Sequence, residues 1–107
     1  MCGNRVKAES VYNRYLAQIT SILSQAFQGK KCQVYLFGSR AIGNYTETSD
    51  FDIAVLASGS ICKELSVARE MLELSNIPFT VDLIDLNVAS ERLVRQVQEG
   101  GILIWDN

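Results

Sequence analysis

A chain of 107 residues, 48% hydrophobic and 21% charged, has the makings of one globular domain, able to bury about two-thirds of the surface its unfolded form exposes; it is not disordered in character. Twelve acids against ten bases give a net charge of −2, which argues against a basic face that grips long nucleic acid by its phosphates. There is no histidine, so Ser-His-Asp and Cys-His catalysis and histidine-ligated zinc are excluded.

Cys2, Cys32 and Cys62 are odd in number, far apart and without CxxC spacing. Free thiols in a reducing compartment are expected. No run approaches eighteen apolar residues and no signal-peptide core opens the chain, so the expected location is the cytoplasm, with no membrane contact.

In chain order, residues 1–7 carry no pattern and are expected to be a loose end. An amphipathic helix is predicted over residues 10–27: Val11, Tyr15, Ile19, Ile22 and Ala26 form a stripe that Tyr12, Leu16 and Leu23 widen. Its tyrosines are expected to cover a sheet rather than to dock a partner. Gly29-Lys30-Lys31 ends the helix. Residues 34–37 have strand character and stop at Gly38-Ser39. A polar loop follows, and residues 51–56 form a second apolar strand with Asp50 and Asp52 at its mouth.

Residues 62–75 predict a second amphipathic helix, with Ile61, Leu65, Ala68 and Leu72 inward and Lys63, Glu64, Arg69, Glu70 and Glu73 toward water. Lys63 and Arg69 are solvated charges in this reading, although either is long enough to reach a phosphate. Pro78 follows the helix end, and residues 79–86 read as a third strand. Ser90 looks like the N-cap of a last helix over residues 91–98, with Leu93, Val94 and Val97 inward. Gly100-Gly101 stops it, and residues 102–105 read as a final strand.

The chemistry gathers between the first two strands. Side chains two apart on a strand share a side, so the α-carbons of Asp50 and Asp52 lie about 6.5–7 Å apart with both carboxylates free to converge on one or two divalent metals. Gly38 lets a phosphate approach the backbone, Ser39 offers a hydroxyl and a cap for the turn at residues 40–42, and Arg40 adds a forked cation. A nucleoside triphosphate carrying Mg²⁺ would fill both halves of such a site. On the third strand, Thr80, Asp82 and Ile84 share one face and Val81, Leu83 and Asp85 the other, so only one further acid can join the pair. Asp82 is preferred: it lies within the apolar run, where a carboxylate needs a metal or partner, whereas Asp85 is placed to cap the strand end.

Gly38-Ser39, ten residues, then Asp50-Phe51-Asp52 resembles the signature of the DNA polymerase β-like nucleotidyltransferase superfamily. At average usage the four fixed positions would coincide by chance in about one chain of this size per thousand. Length and the GSR run, with Gly43 three residues on, resemble the minimal nucleotidyltransferase (MNT) group; Ile42 departs from the arginine or lysine many members carry before that glycine. The resemblance covers nearly the whole chain and implies one domain over residues 1–107, of α/β (α+β) class: a nucleotidyltransferase fold with a small mixed β-sheet and helices mainly on one face. It implies a two-metal Mg²⁺ site on Asp50, Asp52 and Asp82, with Gly38, Ser39 and Arg40 on the phosphates of ATP or another NTP. It further implies transfer of a nucleotide, most often AMP, to a tyrosine of a HEPN-domain ribonuclease toxin, which the MNT protein silences as antitoxin. With little material for an acceptor pocket, selection of nucleotide or acceptor is expected to depend on that partner. Two other readings stay open: a binding module that silences the partner by occlusion alone, and a small-molecule, antibiotic-type nucleotidyltransferase.

Overall fold

The computed structural model describes the backbone of residues 3–38 and 51–107 and the side chains of residues 14–38 and 51–107. Its elements run α1 (Gly3–Ala26), β1 (Cys32–Phe37), β2 (Phe51–Ala57), α2 (Cys62–Leu74), β3 (Val81–Asp85), α3 (Glu91–Gly100) and β4 (Ile102–Asp106). The four strands form one mixed sheet in the order β3-β2-β1-β4. β1 pairs antiparallel with both β2 and β4, and β2 pairs parallel with β3, to which α2 provides the crossover.

Alternation along the strands sorts the sheet into two faces. Cys32, Val34 and Leu36 of β1, Phe51, Ile53 and Val55 of β2 and Leu83 of β3 point to the side covered by α1 and α2. There Ile19, Leu23 and Phe27, spaced four apart, and Leu65, Ala68 and Leu72 complete the main core. Tyr15 is half-buried and meets Phe79 edge-on at 5.4 Å, so it packs as a core residue. Phe37 and Ala54 point to the other side, where they join Leu86 and Val97 under α3. Two of the three described helices thus share a face, and the third marks the opposite one.

Most element ends shift by one or two residues from the sequence reading, β1 among them with its start at Cys32, and three differences have a physical reason. Helix α1 begins at Gly3, so the expected loose end is helical from there. Arg5, Lys7, Ala8 and Glu9 are good helix formers with no breaker among them, and propensity extends the helix beyond the point where an apolar stripe can be recognised. Strand β3 is shorter than expected at five residues, because Phe79 joins the core from outside the ladder and Leu86 already belongs to the following turn. Helix α3 runs to Gly100, where the Gly101 amide donates to Val97 O at 2.7 Å.

Turn chemistry elsewhere follows the sequence. Gly29 adopts φ +82° at the exit from α1, and the Lys30 amide donates to Phe27 O at 3.0 Å. Ser90 caps α3 by accepting from the Leu93 amide at 3.3 Å. Asp85 accepts from the Asn87 amide at 3.0 Å, the strand-end role expected of it. Cys32 and Cys62 are free thiols, the first buried and the second exposed. No helix among the described residues is long and apolar enough to cross a membrane.

Candidate active site

β1 runs toward one end of the sheet and finishes at Phe37, directly opposite Asp52 in the antiparallel ladder. On the other side of β2 the parallel register sets Asp52 against Asp82. Neighbouring strands lie about 4.8 Å apart, so two carboxylates in matched register on one face of the sheet stand abreast. Like charges so placed favour a cation between them. The sequence reading chose Asp82 over Asp85, and the register brings Asp82 to Asp52. Its reasoning on burial needs correction: Asp82 is exposed, because β3 is the edge of the sheet and the α3 side of that edge is open at this point. Leu83 is buried on the other side of the strand, and on the side of Asp82 burial starts only beyond it, with Ile84 half-buried and Leu86 buried against the cluster under α3.

Gly38 follows β1 at φ +77°. A Cβ built on it would collide with Asp52 Oδ2 and come within 3.2 Å of its Cγ. The room that a glycine leaves is therefore occupied by the Asp52 carboxylate. Cation ligands of the alkaline-earth type are hard oxygens, and the pair of carboxylates in a cradle closed to any Cβ fits Mg²⁺ in donor chemistry. Ser39, Arg40 and Asp50 lie outside the described residues, as does the turn at residues 40–42. Among the described residues no group of three or more metal-ligating side chains gathers, since Asp52 and Asp82 are the two described members of the expected three.

Arg69, offered by the sequence as a solvated charge that could reach phosphate, is engaged otherwise: its Nη2 donates to the carbonyl of Leu83, next to Asp82, at 3.0 Å. Lys63 is exposed on α2. A helical pattern alone has no signal for the Arg69 bond, because the carbonyl it finds belongs to a strand 14 residues further on.

A four-stranded mixed sheet with an acid at the mouth of β2, a second abreast of it on β3 and a glycine turn at the end of β1 defines the nucleotidyltransferase class. The family described as Polymerase beta, Nucleotidyltransferase matches residues 17–107, and the chain belongs to it. Among curated proteins it is similar to the protein adenylyltransferase MntA of Shewanella oneidensis, with 40% identity over 74 residues that make up 67% of this chain and 52% of the relative. The chain thus matches about half the length of that relative. Among solved structures it resembles a chain of a toxin-antitoxin complex with AMP-PNP, at TM-score 0.68 and 33% identity over 84% of this chain and 73% of that one. It also resembles a chain in the complex of tri-AMPylated Shewanella oneidensis HEPN toxin with MNT antitoxin, at TM-score 0.65 and 30% identity over 86% and 70% of the two chains.

Proposed function

We propose that residues 1–107 act as a single minimal nucleotidyltransferase domain that moves an adenylate from ATP to a tyrosine hydroxyl of a HEPN-domain ribonuclease, silencing it as the antitoxin of the pair. The observation that carries this reading is Asp52 abreast of Asp82 with Gly38 closed against the Asp52 carboxylate. The name of the MntA relative and the AMPylated toxin in the similar complex support adenylate as the group and a HEPN protein as the acceptor. AMP-PNP in the other similar complex supports a nucleoside triphosphate as donor. Asp82 at an exposed sheet edge supports an acceptor that approaches as part of another protein's surface. The compartment in this proposal is the cytoplasm.

In chemical terms, the acceptor oxygen forms a bond to the α-phosphorus, the bond from that phosphorus to the bridging oxygen breaks, and pyrophosphate leaves in line. Mg²⁺, when bound, supplies Lewis-acid stabilisation of the charge on the attacking and leaving oxygens. Asp50 and Asp52 would hold it, and Asp82 would complete the second metal position or take the proton from the tyrosine hydroxyl. Gly38, Ser39 and Arg40 hold the β- and γ-phosphates through backbone amides, a hydroxyl and a guanidinium.

Intact mass spectrometry of the HEPN partner, incubated with this chain, MgCl₂ and each of the four NTPs, tests the proposal. The expected result is a gain of one or more AMP groups with ATP, lost in an Asp50→Ala/Asp52→Ala variant. A partner that stays unmodified yet fully neutralised, by wild type and variant alike, would replace catalysis with occlusion.

A further inference from the structure

Asp82 stands on the outermost strand, and a strand at an edge has one row of its amides without a neighbouring strand. Which row this is can be read from the ladder. The Phe51 amide donates to Thr80 O at 2.9 Å, and the Leu86 amide donates to Val55 O, also at 2.9 Å. In a parallel pair alternate residues of a strand address the same neighbour, so the even-numbered residues of this segment turn their amides to β2. Val81, Leu83 and Asp85 turn theirs outward.

Arg69 meets the middle one of these three. Helix α2 lies over the core face by way of Leu65, Ala68 and Leu72, and Arg69 reaches from its flank to the Leu83 carbonyl at 3.0 Å. The guanidinium makes the lateral hydrogen bond that a fifth strand would make, at the residue following Asp82. A short parallel edge ladder is among the weaker pairings of a sheet. The placement of Asp82 relative to Asp52 depends on that ladder.

We propose that Arg69 is a positioning residue for the carboxylate pair: by fixing the Leu83 carbonyl it holds β3 in the register and at the depth that keep Asp82 abreast of Asp52. This inference rests on the nucleotidyltransferase reading for its functional consequence. It acts through backbone geometry, and Arg69 touches neither nucleotide nor acceptor in it.

The test uses the full chain with Arg69→Met, which keeps an apolar stem and loses every donor, and Arg69→Lys, which keeps a cationic donor group. Three quantities are read: hydrogen exchange of the Asp82 and Ile84 amides, Mn²⁺ affinity by electron paramagnetic resonance, and the kcat and KM for ATP with the HEPN partner as acceptor. For Arg69→Met the two amides are expected to exchange about fivefold faster, as for loss of one hydrogen bond. Mn²⁺ is expected to bind more weakly, and kcat to fall about tenfold with KM for ATP nearly unchanged, because the acids lose alignment and the phosphate contacts do not. Arg69→Lys is expected to recover most of all three. A purely structural role would lower the melting temperature and the active fraction and leave Mn²⁺ affinity and kcat per folded molecule as in wild type. A folded Arg69→Met protein with wild-type exchange, Mn²⁺ affinity and kcat overturns the inference alone. A wild type that binds no Mn²⁺ and modifies no partner overturns the nucleotidyltransferase reading and the inference with it. Should Arg69→Met fail to fold, Arg69→Gln, whose amide is too short to reach the Leu83 carbonyl, decides by the same three readings, and wild-type values for all of them overturn the inference.

Discussion

Gly38 is held at φ +77° with the Asp52 carboxylate where a Cβ would be. Gly38→Ala therefore meets two costs: a left-handed backbone worth about 1–2 kcal/mol for a residue with a Cβ, and displacement of the acid. The displacement governs activity, since a shift of about 1 Å in a reacting group can cost a hundredfold in rate. The expected outcome is a folded variant with the proposed adenylate transfer down about a hundredfold; melting temperature and initial rate measured together check it, and an alanine variant at full rate would remove Asp52 from the proposed site. Cys32 makes a second residue-scale prediction. Burial pushes its thiol above the ordinary range, and the Asp106 carboxylate adds to the effect. The unfolded chain then releases the thiol proton at lower pH than the folded chain, so this group's contribution is whole below the ordinary thiol pKa of about 8.5 and shrinks as pH climbs through it toward the folded value. In urea melts the stability difference between wild type and Cys32→Ala is expected to narrow from pH 7.5 to about pH 9.5; a constant difference would sink the linkage.

Among the helices, as far as their side chains are described, α3 has the narrowest buried stripe: its only buried residue is Val97, and Leu93 and Val94 are half-buried beside it. A helix with so narrow a buried stripe depends on its ends. Ser90→Ala removes the acceptor for the Leu93 amide and is expected to cost about 1 kcal/mol, read as a lower midpoint at unchanged m-value in urea; an unchanged midpoint would show the cap to be idle. The same helix shows what local pattern can reveal. Ser90, the Leu93-Val94-Val97 stripe and Gly101 are signals within a dozen residues of one another, and they found α3 to within two residues of its end. The beginning of α1 gave no such signal, because good helix formers without an apolar stripe look the same in a helix as in a loose end. For the site, alternation along β3 identified the face of Asp82 correctly. Exposure of that acid depended on which strand lies outermost, and strand order is a non-local property that no window of sequence contains.

At the scale of the molecule, one core joins α1, α2 and the sheet, and Phe27, fully buried at the end of α1, locks the helix to it. Phe27→Ala is expected to cost about 3–5 kcal/mol. Against a total stability of about 5–15 kcal/mol for a domain of this kind, that is enough to leave a marginal protein, and a midpoint shift of under 1 M urea would contradict the packing described. The family signature made the overall architecture legible because the residues that carry the chemistry also mark the strand ends. What it left unread was the two sides of the sheet, since the stripe of α3 does not say which face it will meet. The sheet also has two rims, and each is spoiled as a template. On β3 the outward carbonyl of Leu83 is already taken by Arg69. On β4 the register steps between Val34 and Tyr35, so that Ile104 is an extra residue and both it and Trp105 lean toward the main core. A strand laid along β4 would lose step with its donors and acceptors at that point, and one laid along β3 would have to evict a guanidinium. The consequence is colloidal: copies of this protein resist stacking rim to rim into growing ribbons.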